Sequence, residues 1–190
     1  MPIVLDGTAG ISGAPISGTT GTFSGNVTAN GVATELRPLV LMTAQASTSG
    51  TVIDFTGIPS WAKRVTVMFN GVSTSGTSGK IIQIGSTTFD TSGYLGSESN
   101  IAGAVGSANV TNGFGIRSVV AADVIHGSIT IFNITGNTWT ASGVLALSNA
   151  ATTLLVSGSR ALAGVLDRVR VTTAGGTDTF DAGSINVMYE

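Results

Sequence analysis

The sequence has no cysteine, a single histidine and very little charge: charged residues make up 9% of its 190 positions, against about 25% in an average soluble domain. Without cysteine there is no disulfide, no thiolate nucleophile and no cysteine-ligated metal. One histidine, His126, confines histidine-based catalysis to one position. Eight Lys and Arg against ten Asp and Glu leave a net charge of −2 with no basic run, so neither nucleic acid nor an anionic membrane surface is an expected partner. No apolar window approaches membrane-spanning length, and the N-terminus has neither the basic nor the apolar region of a secretion signal. Membrane insertion and export as a single chain are therefore not expected.

What the chain does contain is glycine, 27 of them, and 42% hydrophobic residues. A surface this short of charge has to present Ser, Thr, Gly and apolar atoms to water, which predicts that other copies cover much of it. Asn26-Val27-Thr28, Asn109-Val110-Thr111 and Asn133-Ile134-Thr135 fit the glycosylation pattern, but a Thr-rich chain produces such matches by chance.

Residues 1–45 read as an N-terminal attachment or stalk region. After the apolar hook at 2–8, Gly7, Gly10, Gly13, Gly18, Gly21, Gly25 and Gly31 alternate with Ser and Thr, and Ile11, Ile16, Phe23, Val27 and Val32 carry the only sizeable apolar mass. Composition alone fits a flexible linker equally well. The recurring single large apolar residue points instead to an extended, interwoven stalk in which equivalent side chains of neighbouring copies meet. Irregular glycine spacing excludes collagen, which needs one at every third place. Pro38 divides the apolar stretch 34–42, read as a joint, and 43–50 relaxes into polar residues.

Residues 46–190 read as one β domain. Strand patterns occur at 52–55, 63–70, 80–85, 113–118, 125–134, 138–147, 152–157, 162–173 and 184–189, with turn clusters at 73–79, 91–96, 136–137 and 175–176. Val65, Val67 and Phe69 share one strand face. Gly57 and Pro59 make 58–61 a corner, and Gly136-Asn137 marks an antiparallel hairpin. The predicted fold is all-β: an antiparallel, jelly-roll-like β-sandwich preceded by an extended Gly/Ser/Thr-rich stalk.

Candidate chemistry is sparse. His126 lies near Asp123 and Ser128, but strand spacing scatters such neighbours between faces, and it is read as a turn or strand histidine. Asp54, Asp178 and Asp181 raise a calcium site or a glycosidase carboxylate pair, yet Asp beside Gly and Thr is read as a turn cap. Trp61 and Trp139 offer flat faces for sugar stacking, and are read as packing at corners. Arg168 and Arg170 share a strand face, for which a solvated face and a subunit-interface ion pair with Asp167, Asp178 or Asp181 both stand open. No catalytic, cofactor or metal residue is assigned.

Several stretches carry a resemblance. Asp54-Phe55-Thr56-Gly57-Ile58-Pro59 with Lys63-Arg64-Val65-Thr66-Val67-Met68-Phe69-Asn70-Gly71-Val72-Ser73-Thr74-Ser75-Gly76 resembles a domain of bacteriophage tail fibres and related virion proteins. His126-Gly127-Ser128-Ile129-Thr130, Asn137-Thr138-Trp139, and the closing runs 166–171 and 178–186 belong to the same resemblance, as do Leu5-Asp6-Gly7-Thr8 and Gly21-Thr22-Phe23-Ser24-Gly25-Asn26-Val27 near the start. It implies a non-enzymatic structural virion protein: a homotrimeric tail fibre or spike, assembled in the host bacterial cytoplasm, joined to other virion proteins through its N-terminal region and facing a host cell-surface glycan. A capsid head fibre or decoration protein is the alternative, and a glycan-degrading spike enzyme is the rival from another class.

Overall fold

The computed structural model of the protein describes residues 27–29, 32–34 and 37–190, in two units, Met1–Arg37 and Pro38–Glu190. In the first unit β1 (Val27–Ala29) pairs antiparallel with β2 (Val32–Thr34), Val27 opposite Thr34. The hook at 2–8 and most of the expected stalk lie outside the described residues.

The second unit follows the order β3 (Val40–Leu41), β4 (Gln45–Ala46), β5 (Val52–Thr56), β6 (Arg64–Thr74), β7 (Lys80–Ser86), β8 (Thr88–Phe89), β9 (Leu95–Ile101), β10 (Val105–Val110), β11 (Phe114–Ile116), β12 (Ile125–Thr135), β13 (Thr138–Leu147), β14 (Thr152–Ala161), β15 (Arg168–Thr173) and β16 (Phe180–Tyr189). Every strand pairing is antiparallel, and no helix occurs among the described residues. A nine-stranded sheet runs β10-β9-β14-β13-β12-β6-β16-β3, with β4 also on β16. A five-stranded sheet runs β11-β7-β15-β5, with β8 on β7.

The two sheets share one core because their strands alternate in register. On β6 Val65, Val67 and Phe69 turn inward, joined by Ile129 and Ile131 of β12, Leu145 of β13, and Ile185 and Val187 of β16. Facing them are Ile53 and Phe55 of β5, Ile82 and Ile84 of β7, and Val169 and Val171 of β15. Each such side chain contributes about 1.5–3 kcal/mol by leaving water. β-Branched residues dominate this set, as suits a pleated surface packed on one side.

The hairpin expected at Gly136-Asn137 is present: β12 pairs with β13 from Ile125↔Leu147 to Thr135↔Thr138, and Gly136 has φ 52°, which a side chain would resist. The corner at 58–61 is also present. Ile58 is buried there, and Ala62 N–H donates to Pro59 O at 3.0 Å. The stretch 162–173, expected as one strand, is strand only over Arg168–Thr173. Its first half carries the chain from one sheet to the other, with Leu162 and Leu166 buried as plugs. The turn expected at 91–96 holds the start of β9 and a fully buried Tyr94. The Tyr94 hydroxyl accepts from Ile84 N–H at 2.8 Å and can donate to Ile84 O at 3.2 Å or Asp90 O at 3.1 Å. Its ring meets Phe114 edge-on at 5.1 Å. β6 and β16 approach closely at a bulge, where a Cβ on Gly183 (φ 89°) would collide with the Gly71 carbonyl.

Candidate functional site

The acidic residues singled out in the sequence are dispersed and engaged. Asp54, expected to cap a turn, lies on β5 directly opposite Arg170. The guanidinium donates to both carboxylate oxygens, at 2.7 and 2.8 Å, in the two-pronged geometry that makes such pairs specific. Asp178 does cap: it accepts from Ser78 N–H at 2.9 Å. Asp181 accepts from the Ser73 hydroxyl. Arg168 holds Asp167, its chain neighbour, at 2.7 and 3.1 Å. Arg168 lowers the Asp167 pKa by that hydrogen bond, and the Arg168 and Arg170 pKa values are raised by their carboxylate partners. The arginine partners are thus Asp167 and Asp54 of the same chain, and neither guanidinium takes Asp178 or Asp181. Both stack over Phe89, with ring distances of 5.6 and 4.1 Å.

Other ion pairs join Arg160 to Asp90 at 2.8 Å, Arg117 to Glu98 at 3.6 Å and Arg64 to Glu190. Burial raises the Glu98 pKa, and Arg117 opposes it.

A polar cluster that pattern reading missed closes one end of the core. Lys80 shares the inward face of β7 with Ile82 and Ile84, and is itself fully buried. Its ammonium donates to Ser118 Oγ at 3.0 Å and Ser118 O at 3.3 Å. Ser118 Oγ donates onward to Asp123 Oδ2 at 3.0 Å, and Val120 N–H reaches the same oxygen at 3.3 Å. Desolvation lowers the Lys80 pKa, while Asp123 and then Asp178 and Asp181 pull it back up. Lysine beside serine is a nucleophile pairing in some hydrolases, but Lys80, Ser118 and Asp123 are all buried, so no substrate reaches the hydroxyl. The signal was available: Lys80 stands two and four places before Ile82 and Ile84, in register with the core.

This cluster also separates Asp123 from His126. Asp123 turns inward to Ser118, whereas Ser128, two places from His126 on β12, is exposed on the outer face. His126 is half-buried beside Gly71. The three residues therefore do not converge, and the expected scattering is between Asp123 and the other two.

Trp139 is 3% exposed and packs in the core at the start of β13, two places after the Gly136-Asn137 turn. Trp61 does sit at the corner, half-buried, with its ring 5.6 Å from Tyr189. Large apolar side chains instead stand exposed elsewhere, among them Leu95 at 74%, Val105 at 73% and Val144 at 61%. Comparison with protein-family models, with curated proteins and with solved structures finds no match to this chain.

Proposed function

We propose that this chain is a structural, non-enzymatic protein of a bacteriophage virion, a homotrimeric fibre or spike on the tail that meets a host surface glycan. In this reading a jelly-roll-like β-sandwich faces outward, and the residues before Pro38 form the stalk that joins other virion proteins; the expected stalk stretch 38–45 belongs instead to the β unit, where β3 and β4 pair with β16. The observation that carries the assembly is the division of the surface: each carboxylate among the described residues has a partner within the chain, while large apolar side chains are left facing water. Such a surface suits a protein whose neighbours are copies of itself. The phage assignment draws on the resemblance of 54–59 and 63–76. The jelly-roll-like reading is supported by nested pairings, β6 with β16 in one sheet, β7 with β15 in the other and β9 with β14 back in the first, as a folded antiparallel ribbon requires.

Multi-angle light scattering of the purified chain tests the assembly: a mass three times 18.9 kDa is expected, and a stable monomer at micromolar concentration overturns it. Deleting residues 1–31 should leave β-rich circular dichroism but abolish incorporation into virions. A capsid head fibre is the second reading, favoured by reach, since about 30 extended residues span at most roughly 100 Å. Immunogold labelling confined to the tail supports the first reading, and label over the shell supports the second. Release of reducing sugar from host polysaccharide would instead favour the glycan-degrading rival.

A further inference from the structure

The outer face of the nine-stranded sheet is organised in rows across the strands. One row passes through Ser107, Ser99, Leu155, Val144, Ser128, Met68 and Asn186, each opposite the next. The adjacent row passes through Asn109, Ser97, Ser157, Ser142, Thr130, Thr66 and Met188 in the same way. Neither row contains a charged side chain. Val144 and Leu155 stand at the centre, beside an open depression of about 470 Å³ at Ser142 and Gly143. Exposed Leu95 and Phe132 flank the rows on one side, and Ile101 and Val105 on the other.

We infer that this face is where copies of the chain meet, an inference that rests on the assembly reading above. Three features identify the occupant as a second copy. In a ring of three, equivalent side chains of neighbouring copies converge towards the axis, where like charges would repel, and a charge-free face avoids that. Its serines are short, so two backbones can approach closely around the Val144–Leu155 centre. The area is of the right order: strands about 4.8 Å apart and about 3.3 Å per residue give a flat patch of about 30 by 20 Å, roughly 600 Å² before side-chain relief is counted, against the ~800 Å² that a stable interface removes from each partner. Sugar fits it less well. Trp139 is buried in the core and Trp61 packs on Tyr189, so neither tryptophan is presented here for stacking.

The test uses the full chain. Val144→Lys places a cation at the centre of the face and is expected to lower the light-scattering mass about threefold, to that of one chain, with circular dichroism unchanged; Val165→Lys, at an exposed site in the loop after β14, should leave the mass unchanged. Because the sequence has no cysteine, Ser142→Cys and Ser157→Cys provide a second measurement that does not disturb the fold. Their reaction with a maleimide should be at least tenfold slower in the assembly than that of Ser148→Cys on the turn after β13, and should equalise once the assembly is dissociated. A wild-type monomer overturns the assembly reading and this face with it. An intact oligomer in Val144→Lys, with Ser142→Cys reacting as fast as Ser148→Cys, overturns this face alone. Protection of Ser142→Cys in a particle of monomer mass also overturns it.

Discussion

The two outward faces of the β domain treat charge in opposite ways. On the five-stranded sheet, Arg168 and Arg170 alternate with buried Val169 and Val171, each holds a carboxylate, and both lie over Phe89. The charges of that face are paired within one chain. The central rows of the nine-stranded sheet carry Ser, Thr, Asn, Met, Val and Leu with no charge, although they cover the same core. Burial requirements on the inner side are alike for both sheets and so do not account for the difference. Under the proposed assembly, it reflects what each face meets outside.

A third location for charge, the interior, gives the largest expected effect. Asp123→Ala leaves the Lys80 ammonium buried with no carboxylate at the end of its Ser118 relay, and should cost about 3 kcal/mol in urea unfolding; a loss below about 1 kcal/mol would show that Lys80 does not depend on it. On the paired face, Arg170→Ala removes a two-pronged pair and a ring stack, together about 1 kcal/mol. A double-mutant cycle with Asp54→Ala should return a positive coupling, and strict additivity would mean the pair contributes nothing. Glu98 supplies a pH signature. Because burial raises its folded pKa, its contribution to stability is complete below the unfolded pKa near 4.3 and is lost as pH rises through the folded value. Glu98→Gln should therefore flatten the melting temperature over that window, and an unaltered slope would refute the assignment. The smallest effect is expected from Val165→Lys. A lone exposed apolar residue is ordinary on a protein surface, and stability should stay within about 0.5 kcal/mol.

Much of this architecture was legible locally. The alternation Val65, Val67, Phe69 and the Gly136-Asn137 turn each encode their outcome within a few residues, because a strand face and a tight turn are local matters. Strands β9 and β10 escaped notice for the opposite reason. The inward places of β9 are Gly96, Glu98 and Asn100, which no hydrophobic pattern marks, and the polar two are satisfied by Arg117, at 3.6 Å from Glu98 and 3.1 Å from Asn100. That compensation comes from beyond β11 and is invisible to any short window. Asp54 was misassigned on the same account: its neighbours Phe55, Thr56 and Gly57 suggest a turn, while its partner Arg170 lies on another strand. The Ser-rich outer rows were legible only as composition, since their meaning depends on strands distant in sequence lying side by side.

The pairing of β6 with β16 fixes when the domain can exist at all. β6 occupies an interior position of the larger sheet, yet one of its two neighbours is the last strand of the fold. Closing that ladder requires a long loop to be brought together before any contact rewards it, which puts folding in the slow, millisecond-to-second range of β proteins. On the ribosome, β6 emerges before β16, and the edge it offers to β16 stays unsatisfied until that strand is synthesised. Chains stalled or cleaved before Phe180 therefore present an open strand to any passing sheet.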